Sequence, residues 1–285
     1  MAHALARIIL AVILALCLAA PLYARLAQTD PFRTHIIETL PDGTPVLADN
    51  TEGMGLGTTP IGPTGHFRYA LGADRLGRDV AARLLYGGRT SLLIATVATL
   101  LCLTAATVLG VTAGFVGGLT DTVLAGALDL LWAFPVTLLA ISLSIVLIGH
   151  EGADSLALPI LILGTVFIPY VARPLRARVI ELRQTEFVEA ARALGAPPLH
   201  LLAQHILPHL IPSLGAFAPL VAAMVLLTEA ALSVLSVGVQ APDASWGTLI
   251  ADGQGLIYTR PLVAIAPGIL IMLTVLALNT LGEKR

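Results

Sequence analysis

The sequence predicts an all-α, polytopic membrane protein with six transmembrane helices. Three observations predict it. Of 285 residues, 56% are hydrophobic and only 12% charged, with a mean hydropathy of +0.88; soluble domains carry about twice that charged share. The apolar residues gather into runs of roughly the 20 that a bilayer core of about 30 Å requires. A polar, His- and Pro-marked segment, "EFVEAARALGAPPLHLLAQHILPH" (Glu186 to His209), stands between two of those runs. The net charge of −2, with no basic tract, argues against a nucleic-acid partner.

The first run is Ile8 to Leu22, extendable to Ala27 if Arg25 snorkels to the interface. Arg7 before it and small residues near Ala24 and Ala27 also fit a signal peptide; an uncleaved first span is favoured because five more follow. Residues 28–90 are polar and rich in glycine, with Pro31, Pro41, Pro45, Pro60 and Pro63. They read as a long loop with an extended, irregular front part. Run two is Ser91 to Val116, closed by a Gly117-Gly118 turn. Run three, Thr122 to Ile148, carries Asp129 and Pro135. Run four, Leu156 to Ala172, is short. The polar insert spans Arg173 to Pro212. Run five, Ser213 to Val237, carries Glu229. After a loop from Gly238 to Arg260, run six covers Leu262 to Leu281. The organisation is therefore an anchor helix at 1–27, an extracytoplasmic loop at 28–90, and a transmembrane core at 91–281 holding the insert at 173–212.

Six spans put both termini on one side. Arginines near span ends decide which side. Arg173, Arg176, Arg178, Arg183 and Arg192 lie in the insert, and the short loops opposite offer only Arg260. The insert and both termini are placed in the cytoplasm, in a multi-pass protein of the inner (plasma) membrane.

Within the insert, Thr185 is positioned to cap a helix whose first turn holds Glu186 and Glu189, acids that complement the helix dipole. Ala190, Ala191, Ala193 and Leu194 favour helix. Gly195 suits a left-handed helix end, and Pro197-Pro198 opens a second helix, expected to stop at Pro208. Two short helices on a rigid elbow, with small alanines and exposed acids, fit a docking element better than a solvated loop.

The only lysine is Lys284. A P-loop needs a lysine after its glycines to reach phosphates, so any ATP that drives this chain is bound by another. Cys17 and Cys102 lie inside apolar runs and read as small buried hydrophobes. His200, His205 and His209 complete no tetrahedral metal set, and no catalytic constellation is present. A carboxylate within a span is rarely idle. Glu229 could line a path or bond a neighbouring helix or partner, and Asp129 reads as structural.

"EAARALG", followed after nine residues by "HILP", resembles the EAA loop of ATP-binding cassette (ABC) importer permeases, in the dipeptide/oligopeptide/nickel group. Glu189, Ala190, Ala191, Gly195, Leu207 and Pro208 match that pattern, and His205 takes the usual isoleucine position. "LGADRLGRDVAARLLYGGRTSL" (Leu71 to Leu92), "PDASWG" (Pro242 to Gly247) and Pro267-Gly268 resemble further signatures of the group. Two departures stand out: Gly126 replaces a common arginine, and "LSVLSVG" carries Ser236 in place of a glycine. The resemblance implies a type I importer permease that binds no cofactor itself, with ATP and Mg on partner subunits. Its implied partners are a second, related permease, two ATPase subunits and an extracytoplasmic substrate-binding protein. The docking residues it implies are Glu186, Glu189, Ala190, Ala191, Leu194, Gly195, Ala196, His205, Leu207 and Pro208. Di- or oligopeptides are the expected cargo, with nickel or glutathione-like solutes as alternatives. An ion-coupled secondary transporter is the competing class; it would leave the insert unexplained and predicts internal repeats.

Overall fold

The computed structural model describes residues 2–40, 43–49, 58–148 and 156–283. Pro41 and Lys284 lie outside the described residues. The chain runs α1 (Ala2–Leu18), α2 (Ala20–Leu26), β1 (Leu47–Asp49), β2 (Thr58–Pro60), α3 (Val80–Val116), α4 (Gly118–Trp132), α5 (Val136–Ile148), α6 (Ala157–Val166), α7 (Ile168–Arg183), α8 (Glu186–Ala193), α9 (Pro198–His200), a π-turn (Leu201–Ile206), α10 (Leu207–Val234), α11 (Trp246–Gln254) and α12 (Leu262–Gly282). Among the described residues, four continuous helical stretches are long and apolar enough to cross a membrane. Two bent pairs make six spans if each pair is one.

Those bends correct the expectation of straight runs. The first run breaks by 49° between α1 and α2, ahead of Pro21. Run three turns by 88° between α4 and α5, at Ala133 to Pro135. Proline removes a helical N–H and crowds the preceding turn, which is a sufficient cause for a kink.

Other boundaries move for identifiable reasons. Helix α3 starts at Val80, not Ser91, because the Asp79 carboxylate accepts N–H bonds from Ala81 (2.9 Å) and Ala82 (3.2 Å). At 37 residues it is about 55 Å long and must protrude from the bilayer core. The front of the insert is not loop. Arg173, Arg176, Arg178 and Arg183 continue the span as α7, so Ala157–Arg183 is one 27-residue stretch.

Pro208 does not stop a helix. The chain stays helical from Pro198 to Val234. The proline ring would crowd a tight preceding turn, and the backbone widens there into the π-turn, whose closing bond runs from Leu207 N–H to Leu202 C=O. The front loop is less irregular than expected: β1 and β2 pair antiparallel, Leu47 opposite Pro60 and Asp49 opposite Thr58. The 238–260 loop holds α11, started by a capping box of Ser245 and Thr248.

The core forms around α3, which packs on α7, α6 and α10, while α12 packs on α10, α1 and α11. The α3–α7 approach depends on Gly110 and Gly114. A Cβ on Gly110 would meet the Ala172 carbonyl oxygen at 2.6 Å, and one on Gly114 the Arg176 carbonyl oxygen at 2.8 Å. This is the small-xxx-small device that lets helices close within a membrane.

Candidate coupling turn and the buried acid node

Helix α8 and the elbow after it project from the end of α7. Thr185 has the extended backbone of an N-cap. Its hydroxyl instead donates to the Leu182 carbonyl at 2.6 Å, so it closes α7, and no side chain caps α8. Glu186 and Glu189 are exposed in the first turn, where the dipole favours them. Val188 is the buried anchor of α8.

The helix ends in a Schellman motif. Ala196 N–H donates to Ala191 C=O (3.1 Å), and Gly195 N–H to Arg192 C=O (3.0 Å). Gly195 takes φ +84°, and a Cβ there would meet nothing within 4 Å. Its glycine is therefore needed for backbone conformation, not for space.

The predicted docking residues fall into two groups. Ala191, Leu194, Gly195, Ala196 and His205 line a single open hollow, joined there by Pro197 and His200, which were not predicted, and Glu186, Glu189 and Ala190 are exposed beside it. Leu207 and Pro208 fall apart from these, beyond the π-turn, Leu207 half-buried and Pro208 exposed. Leu194 is 89% and Leu199 77% exposed, two apolar side chains left uncovered on a polar turn.

The histidines have roles the sequence did not indicate. Phe187 stacks on His209 (5.2 Å between ring centres) and tilts against His205 (6.3 Å), while His200 meets His205 edge-on (6.0 Å). His209 Nδ1–H donates to the His205 carbonyl at 2.8 Å. This ring ladder braces α8 against the π-turn. Among the described residues, no group of three or more His, Cys, Asp or Glu side chains is placed to hold a metal ion.

Glu229 lies elsewhere, 1% exposed. It accepts hydrogen bonds from Ser233 Oγ (2.7 Å) and Ser91 Oγ (3.3 Å). Ser91 Oγ also accepts the Trp246 backbone N–H at 3.0 Å, and Ser245 Oγ bonds Ser233 Oγ at 3.3 Å. The Trp246 indole N–H donates to Leu84 C=O at 3.0 Å. One carboxylate thus ties α3, α10 and α11 together, which is the geometry of helix bonding. Asp129 is 57% exposed and pairs with Arg173 of α7, an interhelical bond in the absence of the arginine that Gly126 replaces.

A second charged group was missed. Arg78 bonds Asp74 (2.7 Å) and Asp252 (3.0 Å), and Arg83 bonds Asp252 (3.2 Å) and lies 3.4 Å from Asp74. These four side chains fasten the end of the 28–79 segment to α11. Beside them, Asp79 also accepts the Tyr69 N–H (2.9 Å), and burial pushes its carboxyl above the usual range. The "DRLGRD" spacing was on view, but Asp252 is far along the chain and nothing local points to it.

Apolar helices long enough to cross a bilayer, with a polar, partly apolar-faced turn beyond α7, mark the chain as a membrane protein. Comparison with known proteins then fixes the family. Residues 106–283 match the binding-protein-dependent transport system inner membrane component family, and the chain belongs to it. It is 36% identical over 215 residues to a putative peptide transport system permease protein of Brucella suis, covering 75% of this chain and 71% of that one. It is 37% identical over 213 residues to a glutathione transport system permease protein of Pectobacterium atrosepticum, covering 75% and 69%. The fold resembles a chain of the MetNI methionine ABC transporter in an inward-facing conformation (TM-score 0.57, 20% identity, 70% of this chain and 92% of that one). The chain is accordingly a permease subunit of an ABC importer.

Proposed function

We propose that this permease carries short peptides inward as one of two related permease subunits. On this reading α8, the Gly195 elbow and the hollow behind them dock two-fold-related ATPase subunits, one per permease. An extracytoplasmic binding protein delivers the peptide, and the termini and the α8 turn face the cytoplasm. ATP and Mg are held by the ATPases alone. The observation that carries the reading is the exposure of Leu194 and Leu199 beside Glu186 and Glu189 on a turn preset by the Schellman motif. Uncovered leucines on a polar projection outside the bilayer call for a protein partner.

The drive follows from differential affinity: ATP must favour one arrangement of the assembly over the other, or it shifts nothing. α8 joins α7 directly and α10 through the π-turn, so movement of the turn reaches two spans. Peptide cargo is supported by the relatives named for peptide transport; glutathione-like solutes are the second reading, supported by those named for glutathione. The test is co-purification with the ATPases together with peptide uptake in Glu189→Arg. Loss of both, with the permease itself still folded, is expected. A complex of normal yield in Glu189→Arg would remove α8 from the docking surface.

A further inference from the structure

We propose that Arg173, Asp129, Trp132, Tyr170 and Phe217 form a subsite on the translocation path that receives the charged termini and one apolar side chain of a short peptide. This rests on the peptide reading above.

Exposure is the first observation. Arg173 is the first charged residue after the apolar run Leu156 to Ala172, within the helical stretch Ala157–Arg183. Its side chain is 43% exposed and that of its partner Asp129 57% exposed. A charged pair bordering an apolar run faces a bundle interior or water, not lipid.

The helix break is the second. The 88° turn between α4 and α5 falls at Ala133 to Pro135, beside Trp132. Non-helical backbone inside a membrane persists where it is covered by protein or lines an aqueous cavity. Phe134 at the break is 54% exposed.

The third is an aromatic wall drawn from three helices. The Arg173 guanidinium lies 5.4 Å from the Trp132 ring centre. Trp132 stacks on Tyr170 at 6.2 Å, and Tyr170 meets Phe217 edge-on at 6.5 Å. Trp132 is 47% exposed.

The chemistry matches a zwitterion with a side chain. A guanidinium presents two parallel donors to a carboxylate. Asp129 accepts an ammonium group, and the aromatic wall takes an apolar side chain. Without cargo the two charges neutralise each other. Separating them opposes binding, which keeps the site weak enough to release cargo onward. The neighbouring pair differs. Asp121 and Arg176 are 21% and 31% exposed and bond through both carboxylate oxygens, the second at 2.6 Å. That pair is a helix clamp, and Asp129–Arg173 is the open one.

The experiment uses Phe134→Cys in the assembled complex in membrane vesicles, where Cys17 and Cys102 are buried and give the background. The probe is a charged, membrane-impermeant methanethiosulfonate, with alanyl-phenylalanine or its carboxyl-amidated form as protectant. Labelling is expected, slowed at least threefold by the free peptide and less by the amide. Arg173→Gln is expected to erase the difference between the two. No labelling in a complex of normal yield would mean that lipid or the partner permease covers this face, and would overturn the subsite. So would labelling that the peptide leaves unchanged. Uptake of the same dipeptide, measured in the same vesicles, separates the two layers: uptake without protection sinks the subsite and spares the peptide reading, and no uptake sinks the reading beneath it.

Discussion

Glu189 and Glu229 are the same residue type in two opposite settings. Glu189 stands exposed in the first turn of α8, beside uncovered leucines. Glu229 is enclosed by Ser91 and Ser233, with Ser245 and Trp246 one bond further. A carboxylate whose acceptor sites are filled internally fixes its own chain, and one exposed on a preset turn is placed to meet another molecule. The difference teaches that intramembrane position alone does not mark a transport residue.

The largest expected effect is at the buried node. Glu229→Ala leaves serine hydroxyls unpartnered in the core and opens a cavity, costing about 3 kcal/mol. Thermal aggregation of the purified complex should shift down markedly, and yield should fall with uptake. Glu229→Gln keeps an acceptor oxygen and should recover most of the loss. A stable Glu229→Ala complex that no longer transports would break the contrast by making Glu229 a path residue.

Smaller effects come from a pair of helix ends. Gly195 has φ +84° and Ser236 has φ +62°. The left-handed region costs a non-glycine residue about 1 kcal/mol. Gly195→Ala should therefore lose about that much locally, leave the bundle's melting nearly unchanged, and raise the ATP consumed per peptide imported. Ser236→Gly should gain up to about 1 kcal/mol, read as a higher aggregation temperature. Unaltered coupling in Gly195→Ala would show that the elbow's shape is not read by a partner.

Much of this was legible in the sequence. The apolar runs marked the spans, and Glu186 to Pro198 marked the helix, the glycine stop and the elbow, because those signals are local. The missing glycine at Ser236 was legible too, and its positive φ explains why glycine suits that position. Pro208 misled, since local chemistry says stop while a widened π-turn accommodates its ring and keeps the helix continuous into α10. Helix α3 started early because Asp79 is a cap that a hydropathy run does not register. The Glu229 node and the Arg78–Asp252 fastening join residues more than 100 positions apart, and no local pattern encodes such a pairing.

The central claim is that the α8 turn is the partner surface and the Glu229 node is internal. Hydrogen–deuterium exchange on the permease pair, with and without the ATPase subunits, tests it most directly. Protection should appear across residues 186–196 when the ATPases bind, with residues 229–246 slow and unchanged in both states. Protection that leaves 186–196 untouched, or that appears first around Glu229, would contradict the account.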